Sequence, residues 1–423
     1  MGRGIKRVAL ICDYSLQYLG GAQSAFLDQV AILREHGYQV TTVAPQLRVA
    51  PQLRQDVQGP ATENGAFPIR TRWVLPGVDL PLLRNSAGLR QRLQELYTEH
   101  QIDVVHVHSE FGLTAAAIAV ARELGIPVVH TVHTFFWQGP HTGPFARGIL
   151  ARVAAAAIRS FARWLRGSKN TTKVFAERRI DSALRGITLT AALQAQTVIS
   201  PSAHQASQLR EAGLGNVRVL PNAVPTEQGS AKPLTRIDGP LRVVWVGRLT
   251  PEKRILEFVE AVGLATRELG PNALEVAIVG DGPLRARAEA QHQPGIRFLG
   301  RVDRDQVRAL MRRGHLVALT SLGFDNQPVV VVEAFAEARS VFYVDEALQE
   351  GLAAAGILSA SPDPAGMAAT LVQLARDPAR VVAASARAIE AAHEFSPAGH
   401  AQALDGIYPD ARARLTQAGE STQ

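Results

Sequence analysis

A single cysteine, Cys12, stands in 423 residues, which excludes an intramolecular disulfide framework and a thiolate-built metal site and suits a reducing compartment. Cys12 ends the apolar run Val8–Cys12 and reads as strand packing. No uninterrupted apolar run approaches the roughly 18 to 20 residues that a spanning helix needs. The basic start Met-Gly-Arg-Gly-Ile-Lys-Arg leads into an apolar run of five residues before Asp13, too short for a secretory h-region. These absences predict a cytoplasmic protein, attached at most peripherally to the inner face of the cell membrane. Acidic residues are missing between Glu123 and Glu177, where Arg147, Arg152, Arg159, Arg163, Arg166, Lys169 and Lys173 all fall. The formal net charge of +7 is thus concentrated locally, which suits membrane phosphate or an acidic small molecule. With no aromatic-interleaved basic strand beside it, nucleic acid is not expected as a partner.

What is present is globular: 46% apolar and 20% charged residues, in a chain long enough for two or three domains. Strands expected at Val8–Cys12, Gln39–Val43, Val104–Val107 and Val128–Val132 alternate with helices over Gln23–His36, Leu89–His100 and Leu113–Leu124. A second series follows, with strands at Thr197–Ile199, Val217–Leu220, Leu241–Val246, Glu275–Val279, Ile296–Leu299, Leu316–Thr320 and Val341–Val344. Strands separated by helices predict right-handed βαβ units, and hence an α/β fold of two Rossmann-like, doubly wound halves. The polar, helix-breaking stretch Pro221–Gly239 reads as the linker, with domains at 1–225 and 226–396 and a closing helix over about 397–423. Ala44-Pro-Gln-Leu-Arg48 repeats as Ala50-Pro-Gln-Leu-Arg54, a duplication too short for a solenoid and expected to form a surface loop.

Two cations dominate the candidate chemistry. In Val243–Lys253 the strand ends at Val246, Gly247 turns, Thr250 reads as an N-cap and Pro251 as the first helical residue. Arg248 and Lys253 then stand beside a helix N-terminus, whose free N–H groups and positive dipole end favour a diphosphate. Gly20-Gly21, between the first strand and a helix, lets backbone approach a phosphate closely, though a plain loop pair would read the same. Gly280-Asp-Gly282-Pro repeats that placement, but Arg285 stands where a dinucleotide fingerprint needs glycine, which argues against a nicotinamide enzyme. Asp325 and Glu333, separated by Pro328, can face one cleft if Pro328 opens a helix, and could grip sugar and ribose hydroxyls at roughly 1.5 to 3 kcal/mol per charge-assisted bond. Four valines at 329–332 favour a strand instead.

His106, His108, His130, His133 and His141 raise the question of metal ligation. The first four lie at or just past strand ends, where polar side chains enter the clefts of open α/β sheets, and no metal is expected. Asp303 and Asp305 read as helix-capping acids. The stretch Pro144–Gly167 forms an amphipathic cationic helix, with Arg152, Arg159, Arg163 and Arg166 within an arc of about 60° opposite Leu150, Val153, Ala157, Phe161 and Trp164. Either it is a solvated face on a packed helix, or the arginines meet an anionic membrane surface while Phe161 and Trp164 insert.

Taken together and in order, Gly20-Gly21-Ala-Gln, His106-Val-His108, His130-Thr-Val-His133-Thr, Ile199-Ser-Pro-Ser202, Leu220-Pro-Asn-Ala, Gly247-Arg-Leu with Lys253, Val279-Gly-Asp-Gly282-Pro, Phe298-Leu-Gly300 and Glu333-Ala-Phe-Ala resemble the retaining glycosyltransferases of family 4, along nearly the whole chain. The resemblance implies the GT-B fold, two domains facing across a cleft, with the C-terminal helix crossing back onto the first. It implies that Arg248 and Lys253 hold the donor diphosphate, Glu333 the donor ribose, and Gly20, Gly21 and the Gly282 turn the nucleotide sugar. It further implies that His133 contacts the transferred sugar and the backbone at Arg301–Val302 the base. Asp325 stands where the family usually has Glu, a variant similar to the branch that includes diacylglycerol glycosyltransferases. Two departures are Arg254, where the family has Gly, and Ala338-Arg-Ser340, where it has Gly-Xaa-Pro.

The expected activity is transfer of a hexose from a nucleotide diphosphate sugar to an acceptor hydroxyl, with retention and without a metal or other cofactor. The cationic helix points to a membrane lipid as acceptor. A soluble acceptor remains the competitor, as does a non-catalytic sugar-nucleotide-binding protein.

Overall fold

A computed structural model describes residues 5–17, 20–47, 65–75, 80–133, 148–168, 178–225, 231–291 and 293–420. The chain divides into two compact units, one of Met1–Leu220 with Ala398–Gln423, the other of Pro221–Pro397. The division precedes the expected boundary by a few residues, because Pro221 to Pro225 already belong with the second unit.

In the first unit the strands are β1 (Arg7–Ile11), β2 (Gln39–Leu47), β3 (Ala66–Thr71), β4 (Val74–Leu75), β5 (Leu80–Pro81), β6 (Val104–Val107), β7 (Val128–Thr131), β8 (Thr197–Ser200) and β9 (Val217–Val219). Its helices are α1 (Gly21–Glu35), α2 (Ala87–Glu99), α3 (Gly112–Glu123), α4 (Gly148–Arg166), α5 (Arg179–Ala192) and α6 (Ala203–Glu211). Seven strands form one sheet in the order β3-β2-β1-β6-β7-β8-β9, all pairs parallel. Val8 and Leu10 of β1 face one apolar cluster and Ala9 and Ile11 the other. That two-sided burial is why the strand reads as a continuous apolar run rather than an alternating one.

The second unit holds β10 (Leu241–Val246), α7 (Ile255–Leu269), β11 (Leu274–Val279), α8 (Arg285–Ala290), β12 (Ile296–Gly300), α9 (Arg304–Arg313), β13 (Leu316–Leu319), α10 (Val329–Ala336), β14 (Ser340–Tyr343), α11 (Leu352–Ala355), β15 (Ile357–Leu358), α12 (Pro364–Arg376) and α13 (Ala379–Ala392). Its six parallel strands run β12-β11-β10-β13-β14-β15. This is the 3-2-1-4-5-6 order of dinucleotide folds, with the direction of winding reversing between β10 and β13. The last helix, α14 (Pro397–Glu420), returns to the first unit and sinks Leu404, Ile407, Tyr408 and Ala411 into its core. It spans nearly all of the closing segment expected over about 397–423.

Two local expectations are corrected and one open alternative is decided. Ala44 to Leu47 of the duplication extend β2 rather than forming a loop, pairing with Pro68 to Thr71 of β3, while the second copy lies outside the described residues. Pro251 opens only a 3-10 turn, Pro251–Lys253, and α7 starts at Ile255 after Arg254 adopts a left-handed conformation, φ 54°. The four valines at 329–332 are helical: Pro328 fixes the entry to α10, and Val331 and Val332 bury there against a single cluster, so tertiary packing overrides β propensity.

Candidate active site

Ligands of open α/β sheets bind beyond the carboxyl ends of the strands where the winding reverses. In the second unit that point lies between the loops after β10 and β13, which carry Arg248 to Lys253 and Thr320 to Asp325. Close backbone packing builds it. Leu249 N–H donates to Asp281 O at 3.0 Å and accepts, at its own carbonyl, from Leu284 N–H at 3.0 Å, while Gly280 N–H donates to Gly300 O at 2.7 Å. A side chain at Gly280 would place Cβ 1.9 Å from Gly247 O, and one at Gly282 would place it 2.6 Å from Leu249 O. Glycine is therefore obligatory at Gly282 for the fit of two loops, apart from any ligand.

The turn bearing Lys253 is fixed by a buried relay. Trp245 Nε1 donates to Thr320 Oγ1 at 2.9 Å, and that hydroxyl donates to Lys253 O at 2.7 Å. Lys253 Nζ lies 2.5 Å from Asp325 Oδ1 and 5.3 Å from the centre of the Phe324 ring. Ser321 Oγ donates to the other carboxylate oxygen of Asp325. Two predicted site residues 72 positions apart thus meet in one ion pair, with side chains 21% and 11% exposed. Arg248 is largely exposed, its guanidinium 3.5 Å from Glu252. Thr250 does not cap a helix: its hydroxyl donates to Glu252 at 2.7 Å. The dipole expected directly beside the cations is displaced with the helix start to Ile255.

Glu333 occupies the second turn of α10 and receives Arg304 Nε at 2.9 Å. Arg301 is exposed and Val302 half-buried at the start of the loop into α9. Asp303 accepts from Gln306 N–H at 2.7 Å in a reciprocal capping box, the capping role expected of it. Both departures from the family's glycines, Arg254 and Ala338, sit at positive φ, 54° and 51°. Glycine would suit the left-handed backbone at both positions, which this chain reaches with ordinary residues. Ala338 is followed by Arg339, a buried hub whose guanidinium donates to the carbonyls of Gly314, Lys232, Glu337, Ala338 and Arg312.

In the first unit the reversal lies between β1 and β6. Asp13, just after β1, is 1% exposed and accepts from Ser109 Oγ and from the backbone N–H groups of Phe111, Leu113 and Thr114, capping α3 from a distant strand. Gly20 is the extended N-cap of α1 and Gly21 its exposed first residue, around which an added Cβ meets nothing within 4 Å. His106 Nδ1 lies 3.0 Å from both Gln29 Nε2 and Tyr408 OH, and Nε2 lies 2.7 Å from Thr131 Oγ1. His108 Nδ1 is 2.8 Å from His133 Nε2 with the rings stacked. Desolvation holds these imidazoles neutral: it lowers His133 to about 4, with His400 adding repulsion, and His130 to about 3, with Arg166 and His133 adding theirs. His106, His108 and His133 meet other side chains of the unit, whereas the ring nitrogens of His130 are buried without a hydrogen-bond partner, and among the described residues no group of three or more His, Cys, Asp or Glu is arranged to hold a metal. His141 lies outside the described residues.

The cationic helix is α4, and its arginines divide. Ala151, Ala155, Ala162 and Leu165 form its buried side, with Ala151 and Ala155 packing on Ile180 and Ala183 of α5. Arg152 and Arg163 are exposed and Arg159 is half-buried. Arg166, expected on the surface with them, is wholly buried: Nη1 donates to Glu110 O and, at 3.1 Å, to Ile187 O. At 100° per residue it projects about 20° from Ala155, which carries it over the edge of the packed side. Burial lowers its pKa to about 10 against the opposing influence of Asp13 and Glu110. The large apolar residues placed opposite the arginines do not seek the core: Leu150, Val153 and Trp164 are 47%, 59% and 50% exposed, with Phe161 half-buried, and Ile149, nearer the arginines, is 76% exposed. Among the described residues no helix is long and apolar enough to cross a membrane.

Arg304, Asp13 and Arg339 carry parts of these arrangements without having stood out in the sequence. Arg304 is one arginine among many on an amphipathic segment, and Asp13 was visible only as the end of an apolar run.

Comparison with known proteins agrees with this architecture. Residues 19–228 match the family described as Glycosyltransferase Family 4, and residues 240–377 match Glycosyl transferases group 1. A phosphatidyl-myo-inositol mannosyltransferase of Mycolicibacterium smegmatis is 24% identical over 412 residues, covering 92% of this chain and 90% of that protein. An alpha-monoglucosyldiacylglycerol synthase of Streptococcus pneumoniae is 41% identical over 58 residues, 14% of this chain and 13% of that one. Among solved structures, the pneumococcal O-GlcNAc transferase GtfA in complex with UDP and GlcNAc superimposes with a TM-score of 0.66 at 12% identity, covering 96% of this chain and 99% of that chain. Anabaena HepE in complex with UDP and glucose gives 0.60 at 15% identity, covering 95% and 98%. With both halves of the chain matched and both sheets in Rossmann-like order, the chain belongs to glycosyltransferase family 4 and has the GT-B fold.

Proposed function

We propose that this glycosyltransferase moves a hexose from a nucleotide diphosphate sugar to a hydroxyl of a membrane lipid, with retention at the anomeric carbon. The observation that carries the donor half is the meeting of Lys253 with Asp325 at the winding reversal of the second unit, with Arg248 on the same loop. When the bond to the donor's leaving group breaks, negative charge grows on the β-phosphate. Arg248 and Lys253 stabilise that charge more in the transition state than in the ground state. Asp325 orients Lys253 in the absence of donor and accepts from sugar hydroxyls in its presence, and Glu333 accepts from the ribose. Two side-chain cations neutralise the leaving group in this reading, so a divalent metal has no assigned role and turnover persists in EDTA. His133, held neutral, contacts the sugar as a hydrogen-bonding group rather than as a charge. Same-face attack by the acceptor accounts for retention without an enzymic nucleophile.

The lipid half is supported by α4, whose Ile149, Leu150, Val153 and Trp164 face outward beside Arg152 and Arg163, and by the lipids in the names of two relatives, the phosphatidyl-myo-inositol mannosyltransferase and the alpha-monoglucosyldiacylglycerol synthase. The test is a transfer assay with candidate sugar nucleotides and lipid or soluble acceptors, read by product mass. Arg248→Ala lowers kcat about 10²- to 10³-fold while the protein keeps its melting temperature. Near-normal turnover in that variant removes the mechanism, and nucleotide binding without any turnover in the wild type leaves a binding protein.

A further inference from the structure

Glu333 is one rung of a short ladder between α9 and α10. Arg304, the first residue of α9, donates from Nε to Glu333 Oε1 at 2.9 Å. One turn along both helices, Arg308 Nε donates to Glu337 Oε1 at 2.7 Å, and Arg312 approaches Oε2 at 3.3 Å. The rungs share chemistry but not surroundings. Glu337's side chain is 2% exposed and surrounded by the helix packing, whereas Glu333's is 12% exposed and stands at the end of the ladder nearest Val302. The base of Arg304 is also fixed, because the capping box of Asp303 and Gln306 sets the first turn of α9 directly after the loop from β12. A carboxylate offers about four acceptor positions, enough for a guanidinium to orient it and for other donors to bond beside it. Precise recognition needs a contacting group whose own geometry is locked by a supporting partner.

We propose that Arg304 is a positioning residue: it holds the Glu333 carboxylate in the orientation that accepts from both ribose hydroxyls of the donor nucleotide, and so sets a preference for ribonucleotides over 2′-deoxyribonucleotides. The inference rests on the reading of Glu333 as the ribose contact. A helix-lacing role alone would affect stability but not this discrimination.

The experiment compares UDP, GDP and ADP with their 2′-deoxy counterparts by calorimetric titration, and follows whichever pair binds most tightly. Arg304→Ala weakens the ribonucleotide about tenfold, leaves the deoxynucleotide within about twofold, and raises the donor KM with kcat retained. Arg304→Lys recovers part of the preference. Arg308→Ala, on the other rung, lowers the melting temperature without changing the ratio. Equal weakening of both nucleotides by Arg304→Ala, or of neither, overturns the proposal. Glu333→Gln separates the two failures. If it abolishes the preference while Arg304→Ala does not, only the positioning role falls; if it leaves the preference intact, the ribose reading falls with it. A wild-type protein that binds none of these nucleotides overturns both.

Discussion

The division of the α4 arginines gives a sharp quantitative contrast. Arg152 and Arg163 are exposed beside the outward apolar residues, and each cation near an anionic bilayer surface contributes about 1 kcal/mol. Replacing both with alanine removes about 2 kcal/mol, or about a 30-fold loss in partitioning. The loss shrinks toward nothing at about 1 M salt, where the screening length falls to about 3 Å. Arg166 behaves oppositely. It is fully buried, donates to two carbonyls and stands near Asp13 and Glu110. Removing one member of such a buried charge cluster costs about 3 to 5 kcal/mol, which for a unit of the first one's size lowers its melting temperature by about 6 to 10 °C. The assay is co-sedimentation with phosphatidylserine-containing vesicles, using folded fractions from size exclusion, beside thermal melts of the same samples. Arg166→Ala should bind within about twofold of wild type, and the Arg152/Arg163 double variant should melt normally. If Arg166→Ala loses vesicle binding while keeping its melting temperature, the placement of that side chain is wrong. If the double variant binds undiminished, α4 is not the attachment surface.

Acid should destabilise the first unit. His106, His108, His130 and His133 are all held below the ordinary histidine value by burial, so the unfolded chain binds more protons as pH falls below about 6.5. Stability is full above that value and is lost progressively toward about pH 4 and below, by up to about 1.4 kcal/mol per pH unit for each imidazole. A melting temperature unchanged between about pH 7 and about pH 4 contradicts this. At Ala338, glycine would relieve left-handed strain of about 1 kcal/mol but lose a buried methyl worth about 0.8 kcal/mol and add unfolded-state entropy. Ala338→Gly should therefore stay within about 1 kcal/mol of wild type. Ala338→Val, β-branched at the same φ, should lose at least about 2 kcal/mol in denaturant titrations, and equal stability of the two would refute the strain argument.

The parallel sheets were legible because their strands are buried on both faces and read as apolar runs such as Val104–Val107, separated by helices of regular spacing. The loops between strands and helices were less so. Thr250-Pro251 carries every local signal for a helix start, yet the chain makes a 3-10 turn and a left-handed Arg254 first, held at the Lys253 carbonyl by Thr320 from the loop after β13, 67 positions on. Such a contact leaves no trace in local pattern. The same holds for Arg166: helical periodicity gives a direction but not the boundary of the packed face, and a shift of about 20° separates a surface cation from a core one. Of the residues proposed for the donor site, Arg248, Lys253 and Asp325 stood out by type and spacing. Arg304 did not, because its importance comes only from what lies across from it on α10.

The return of α14 to the first unit also has a temporal side. During synthesis the second lobe has all its strands and helices once residue 397 has emerged, whereas the first still lacks the helix that supplies Leu404 and Tyr408 to its interior. The half made earliest is therefore finished last. A premature stop near codon 397 would spare the later-made lobe and leave the amino-terminal one with an apolar face open to chaperones and proteases.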